Sequence, residues 1–181
     1  MTFHTTPFEG LLILEPRIFR DNRGYFFESY NQSAFDQVAK PVGFVQDNQS
    51  MSNKGVLRGL HFQRAPYGQG KLVRVARGAV LDIAVDIRKT SSTFGNFFSM
   101  ELNDKTNTML WIPEGFAHGF LTLEDNTLFL YKCSGQYNKE SESGIRYDDP
   151  ELKINWNENN PVLSEKDLQL PSWKDFLKSV S

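Results

Sequence analysis

The chain has 181 residues, 39% of them hydrophobic and 23% charged, with a formal net charge of −2. That length suits one domain with a sizeable core and not two, so residues 1–181 are read as a single domain. The near-neutral balance gives no electrostatic basis for binding nucleic acid or an anionic membrane surface.

In chain order, the first apolar run is Leu11–Leu14, cut short by Glu15 and Pro16. It is too short for a signal-peptide core or a membrane span, so a cytoplasmic protein is expected. It opens a series of short β-rich stretches: Leu11–Phe19, Gly24–Tyr30, Gly43–Ser50, Val56–Gln63 and Lys71–Ala76. Val80–Ile87, Phe97–Leu102, Thr108–Ile112, Phe116–Leu123 and Thr127–Cys133 follow. In Val80–Ile87 the residues Leu81, Ile83, Val85 and Ile87 alternate with Val80, Asp82, Ala84 and Asp86, which predicts a strand with one drier face. Turn residues separate the stretches, as in Asp21-Asn22-Arg23-Gly24, Asn53-Lys54-Gly55 and Pro113-Glu114-Gly115. Fifteen Phe also suit a pleated, half-buried surface. Helix is expected only at Gln32–Ala39 and at Ser172–Val180, the latter with Trp173, Phe176 and Leu177 on one face. Many short, closely spaced strands make an all-β sandwich or barrel, of which the jelly roll is a common form.

Familiar catalytic motifs fail on inspection. Gly68-Gln69-Gly70-Lys71 has Val73 where the dinucleotide fingerprint needs its third Gly, and Leu72 where a P-loop needs Ser or Thr. No Gly-x-Ser-x-Gly elbow occurs. The single cysteine, Cys133, excludes an intrachain disulfide and a Cys-based zinc site. Pro113-Glu114-Gly115-Phe116-Ala117-His118 resembles the second motif of the cupin superfamily. Metal-binding cupins pair that His with a His-x-His and a Glu, whereas this chain offers His61-Phe62-Gln63 with no Glu following closely. No metal site is expected.

What remains is acid–base chemistry. Val56–Gln63 puts Arg58, His61 and Gln63 on an otherwise apolar strand. By simple alternation His61 and Gln63 share a face with Leu57 and Gly59. A histidine there is either a satisfied core group or a neutral base, and spacing leaves the two even. Lys71 is an ordinary surface lysine or a stabiliser of negative charge, and Tyr131 a core aromatic or a proton donor. Asp167 reads as part of a helix start capped by Ser164, or as a carboxylate orienting His61.

Several segments in order along the chain closely resemble those of the dTDP-4-dehydrorhamnose 3,5-epimerases. They are Asp21–Tyr30, Phe44–Asn48, Gly55–Gln63, Gln69–Arg74, Trp111–Phe120 and Phe129–Lys132, and the likeness continues to Leu163–Asp167. The resemblance implies a homodimeric, cupin-type jelly roll that epimerises dTDP-4-dehydro-6-deoxyglucose at C3 and C5 without a cofactor. It assigns His61 as base, Tyr131 as the acid on the opposite face, Lys71 beside the keto oxygen and Asp167 as partner of the base. Substrate-binding positions fall on Arg23, Glu28, Gln46, Asp47, Asn48, Arg58, Lys71, His118, Glu142 and Lys166. The Arg23–Glu28 strand is expected to reach a neighbouring subunit's site. A one-carbon epimerase of another dTDP-sugar pathway, a metal-dependent cupin and a non-catalytic sugar-binding jelly roll are the alternatives. Arg58 and His61 lie three apart, so an ideal strand would send them to opposite faces. If both line the site, the alternation must break, and Gly59 is the expected place.

Overall fold

A computed structural model describes residues 1–179, and its elements follow the short-strand pattern. They are β1 (Thr2–Thr5), β2 (Leu12–Glu15), β3 (Phe19–Asp21), β4 (Gly24–Phe26), α1 (Gln32–Phe35), β5 (Gln46–Ser52), β6 (Leu57–Gln63) and β7 (Lys71–Arg77). Next come β8 (Ala79–Asp86), β9 (Phe97–Asn103), β10 (Met109–Ile112), β11 (Phe116–Thr122), β12 (Thr127–Cys133), β13 (Glu142–Gly144), α2 (Glu165–Leu168) and α3 (Trp173–Ser179). One sheet has the order β1-β2-β10-β7-β12-β5 and the other β13-β6-β11-β8-β9, all pairs antiparallel. Strands distant in sequence are neighbours in both sheets, giving the expected all-β jelly roll. The hairpin β3–β4 forms a third, separate sheet.

The expected Leu11–Phe19 stretch is split. Pro16 lacks an N–H for the ladder, so β2 ends at Glu15 and the chain resumes as β3 at Phe19. Of Gln32–Ala39 only the first turn is helical, capped by Asn31 accepting from Ala34 N–H at 3.1 Å. In α3 both Trp173 and Phe176 are buried with Leu177 packed beside them, as expected. The expected end of that helix, Val180, lies outside the described residues. The strands β1 and β13 were not expected.

Between the sheets lies a core that includes Val73, Val75, Val80, Ala84, Phe116, Phe120 and Phe129. A second core covers the outer face of the five-stranded sheet, where Leu57, Leu60, Ile83 and Val85 meet Ile145, Trp156, Trp173 and Phe176. β8 is therefore buried on both faces, not on one. Its outer side is covered by the C-terminal segment, and Asp82 and Asp86 on its other side are fully buried. Each acid carries its own partners. Asp86 is held by Arg88, Ser91 and Thr93, and Asp82 by His118.

Candidate active site

The site depends on a break in β6. Leu57, Leu60 and Phe62 all pack into the outer core, which an unbroken alternation cannot achieve. Arg58 opposes Phe120 and His61 opposes His118, so β6 carries one residue more than β11 across the same interval. This is a bulge. Gly59 takes φ +134° there, and a Cβ on it would sit 2.5 Å from Gly119 Cα. Only glycine meets both conditions. The break turns Arg58, His61 and Gln63 to the interior side together. The simple-parity expectation that His61 shares a face with Leu57 is thus corrected, and the expected irregularity at Gly59 is present.

Inward-facing positions of β5, β12 and β7 complete a cleft of about 240 Å³ at one end of the interior. Tyr131 stands opposite Asn48 and Cys133 opposite both Gln46 and Lys71 in the ladders, so these side chains crowd one level. His61 Nε2 lies 2.5 Å from Asp167 Oδ1, in a pair whose side chains are 31% and 5% accessible. Ser164 Oγ accepts from the Asp167 N–H at 3.1 Å and donates to its Oδ2 at 2.7 Å. The helix cap and the orienting carboxylate, rivals in sequence, coexist. Burial alone would raise the Asp167 pKa, but hydrogen bonds from His61 and Ser164 outweigh it and hold the carboxylate below its ordinary value.

The Lys71 ammonium makes no hydrogen bond or ion pair among the described residues. Its burial pushes its pKa below the usual lysine value, while the neighbouring Cys133, Asp82 and Glu142 pull the other way. Burial raises the Tyr131 phenol, with Cys133 adding to it and Arg58 opposing it. The phenol is therefore a proton carrier at neutral pH. At the mouth, Glu142 receives Lys166 Nζ at 2.5 Å and the Tyr137 hydroxyl at 2.6 Å. Burial would raise Glu142, but the hydrogen bonds from Lys166 and Tyr137 hold it low. A histidine–carboxylate pair, an unpaired ammonium and a protonated phenol in one cleft suit proton abstraction beside a carbonyl. Among the described residues no three His, Cys, Asp or Glu side chains converge as a metal ligand set.

Of the positions expected at the site, His61, Lys71, Tyr131, Gln46, Asn48 and Glu142 line the cleft. Asp167 and Lys166 reach it through His61 and Glu142. Arg58 lies at the open end of the interior, with Nε and Nη2 each 3.3 Å from Ser52 Oγ. His118 is buried beside the cleft, its Nε2–H donating to both Asp82 oxygens at 2.9 and 3.1 Å, and it stacks on Phe129. Three positions are not brought in. Asp47 faces outward and pairs with Lys132 at 2.9 Å. Arg23 is on the β3–β4 hairpin, 85% accessible and paired with Asp21, and Glu28 follows it exposed. Cleft residues given no site role by the sequence reading are Tyr137, Phe62, Gln63, Gln69 and Cys133. A tyrosine in a polar loop just after the strand bearing Tyr131 was the available signal for the first.

A family model described as dTDP-4-dehydrorhamnose 3,5-epimerase matches residues 5–175. The chain belongs to the dTDP-4-dehydrorhamnose 3,5-epimerase family. It is 52% identical over 175 residues to the dTDP-4-dehydrorhamnose 3,5-epimerase of Escherichia coli K12, covering 96% of this chain and 95% of that one. Among solved structures of the family, the Legionella pneumophila dTDP-6-deoxy-D-glucose-3,5-epimerase in complex with dTDP-4-keto-L-rhamnose has TM-score 0.90 and 44% identity, covering 94% of this chain and 92% of that one. A 3′-monoepimerase from Streptomyces bikiniensis in complex with dTDP-quinovose has TM-score 0.93 and 32% identity, covering 98% and 90%. Solved structures with this fold thus include both a 3,5-epimerase and a 3′-monoepimerase.

Proposed function

We propose that this epimerase-family chain converts dTDP-4-dehydro-6-deoxyglucose to dTDP-4-dehydro-L-rhamnose by proton transfer at C3 and C5. It acts as one domain in cytoplasmic dTDP-rhamnose synthesis. The observation that carries the reading is the His61–Asp167 pair facing Lys71 and Tyr131 in a single cleft. A C–H beside the 4-keto group is weakly acidic. His61 takes that proton, the electron pair moves into the C–C bond next to the carbonyl, and the oxygen becomes an enolate stabilised by the Lys71 ammonium. Tyr131 returns a proton to the opposite face, which inverts the carbon. The tyrosinate is then reprotonated from solvent and His61 gives up its proton.

Gln46, Asn48, Arg58, His118, Glu142 and Lys166 bind substrate in this reading, the cationic heads serving the pyrophosphate. Asp47 is counted with them, and Arg23 and Glu28 do so across a homodimer. Supporting the dimer is the β3–β4 hairpin, which among the described residues pairs with no other strand and leaves Phe19 50% and Phe26 70% exposed. The higher identity to a 3,5-epimerase than to the 3′-monoepimerase favours action at two carbons. Incubation with dTDP-4-dehydro-6-deoxyglucose in heavy water tests this directly. Deuterium at both C3 and C5 is expected, and His61→Asn should abolish it. Label at one carbon would move the chain to the monoepimerase class, and no label would end the proposal.

A further inference from the structure

Gln63 lies two residues beyond His61 on the same face of β6, and every hydrogen-bonding group of its carboxamide is used. Oε1 accepts from the Asn138 N–H at 2.6 Å. Nε2 donates to the Tyr67 carbonyl at 2.8 Å and to the Gln136 carbonyl at 3.1 Å. One side chain therefore joins the loop before β7 to the loop after β12, the two walls of the cleft mouth. Tyr137 stands between the two anchor points on the second loop, its ring lining the cleft and 53% exposed. Its N–H also donates to Gln46 Oε1 at 3.2 Å and its hydroxyl to Glu142. Nearer the strand, Gln69 Nε2 donates to the Gly135 carbonyl at 2.6 Å, so the base of the loop has its own tie. At the tip, Gln63 ties both residues that flank Tyr137, while Tyr137 adds its own contacts to Gln46 and Glu142. A flat, half-exposed ring fixed at a cleft mouth offers a stacking face to a nucleobase.

We propose that Gln63 is a positioning residue for the nucleotide end of the substrate: it clamps the 134–138 loop so that Tyr137 is preset over the mouth. The inference rests on the epimerase reading given above. Fixing the ring before binding removes an ordering cost that binding would otherwise bear. Gln63 touches neither base nor acid, so its loss should appear in affinity and not in the chemical step.

The test is a double-mutant cycle with Gln63→Leu, which keeps the bulk of the side chain, and Tyr137→Ala. Binding of dTDP is measured by calorimetry, and KM and kcat with dTDP-4-dehydro-6-deoxyglucose. Gln63→Leu should weaken dTDP and raise KM about tenfold while kcat changes less than about twofold. In the Tyr137→Ala background the same change should have almost no further effect, because the clamp then has nothing to position. Additive losses, an unchanged Kd, or a fall in kcat at constant KM would overturn the proposal. Should the wild-type chain itself fail to bind dTDP, both this inference and the epimerase reading fall. A wild-type response with a silent Gln63→Leu removes this inference alone.

Discussion

Asp167→Asn separates the charge of the histidine pair from its shape. The side chain keeps its size, Ser164 still caps α2, and an amide oxygen can still accept from His61. What is lost is a carboxylate only 5% accessible whose Oδ1 lies 2.5 Å from Nε2. That charge matters most when His61 has taken the substrate proton and become imidazolium. Unit charges about 4 Å apart attract by roughly 4 kcal/mol at an effective dielectric of about 20. An adjacent opposite charge correspondingly shifts a pKa by about 1–3 units, or roughly 1.4–4 kcal/mol. The imidazolium charge is only partly developed in the transition state, so the middle of that range applies, and kcat should fall about 10²-fold. The assay is the rate of deuterium incorporation at C3 and C5, followed by NMR in heavy water, with thermal melting to verify the fold. An Asn variant within about threefold of wild type would refute the charge argument and reduce Asp167 to a helix-start residue.

Further outcomes follow from the same geometry. Lys71→Met should lower kcat by about 10²–10³-fold with little change in dTDP affinity, as for loss of an oxyanion stabiliser. Since burial depresses the Lys71 pKa, the alkaline limb of the wild-type kcat profile should begin below the ordinary lysine range; a raised KM with intact kcat would instead make Lys71 a binding group. Gly59→Ala places a Cβ against Gly119 at φ +134° and should cost about 3 kcal/mol or more in urea unfolding, with loss of exchange. A stable, active Ala variant would show that the bulge is dispensable. Asp86, fully buried and held at about 2 against an ordinary 3.8, contributes about 2 kcal/mol at neutral pH. A depressed carboxylate stabilises above its unfolded pKa and loses that contribution as pH falls through its folded one. Asp86→Asn should therefore be less stable than wild type at pH about 7 and nearly equal near pH about 2; a gap independent of pH would assign the loss to packing.

The period-two pattern determined most strands, since alternation on a pleated sheet is a local property. Pro16 and Gly59 likewise acted where they stand, one ending a strand and the other breaking its alternation. The chemistry-bearing types His61, Lys71, Tyr131 and Asp167 were legible as residues, but spacing left His61 even between core and base and favoured a purely structural reading for the other three; only the likeness to known sequences gave them roles. Tertiary structure decided the rest, because it depends on contacts between distant segments. Asp167 meets His61 across a separation of 106 residues, and the C-terminal segment covers the outer face of β8, making both its faces dry. The same long-range packing seals Asp82 with His118 inside the interior. It also lets Gln63 join two loops whose sequences show no mark of belonging together. Periodicity reports which way a side chain points, and only the assembled sheets report what it points at.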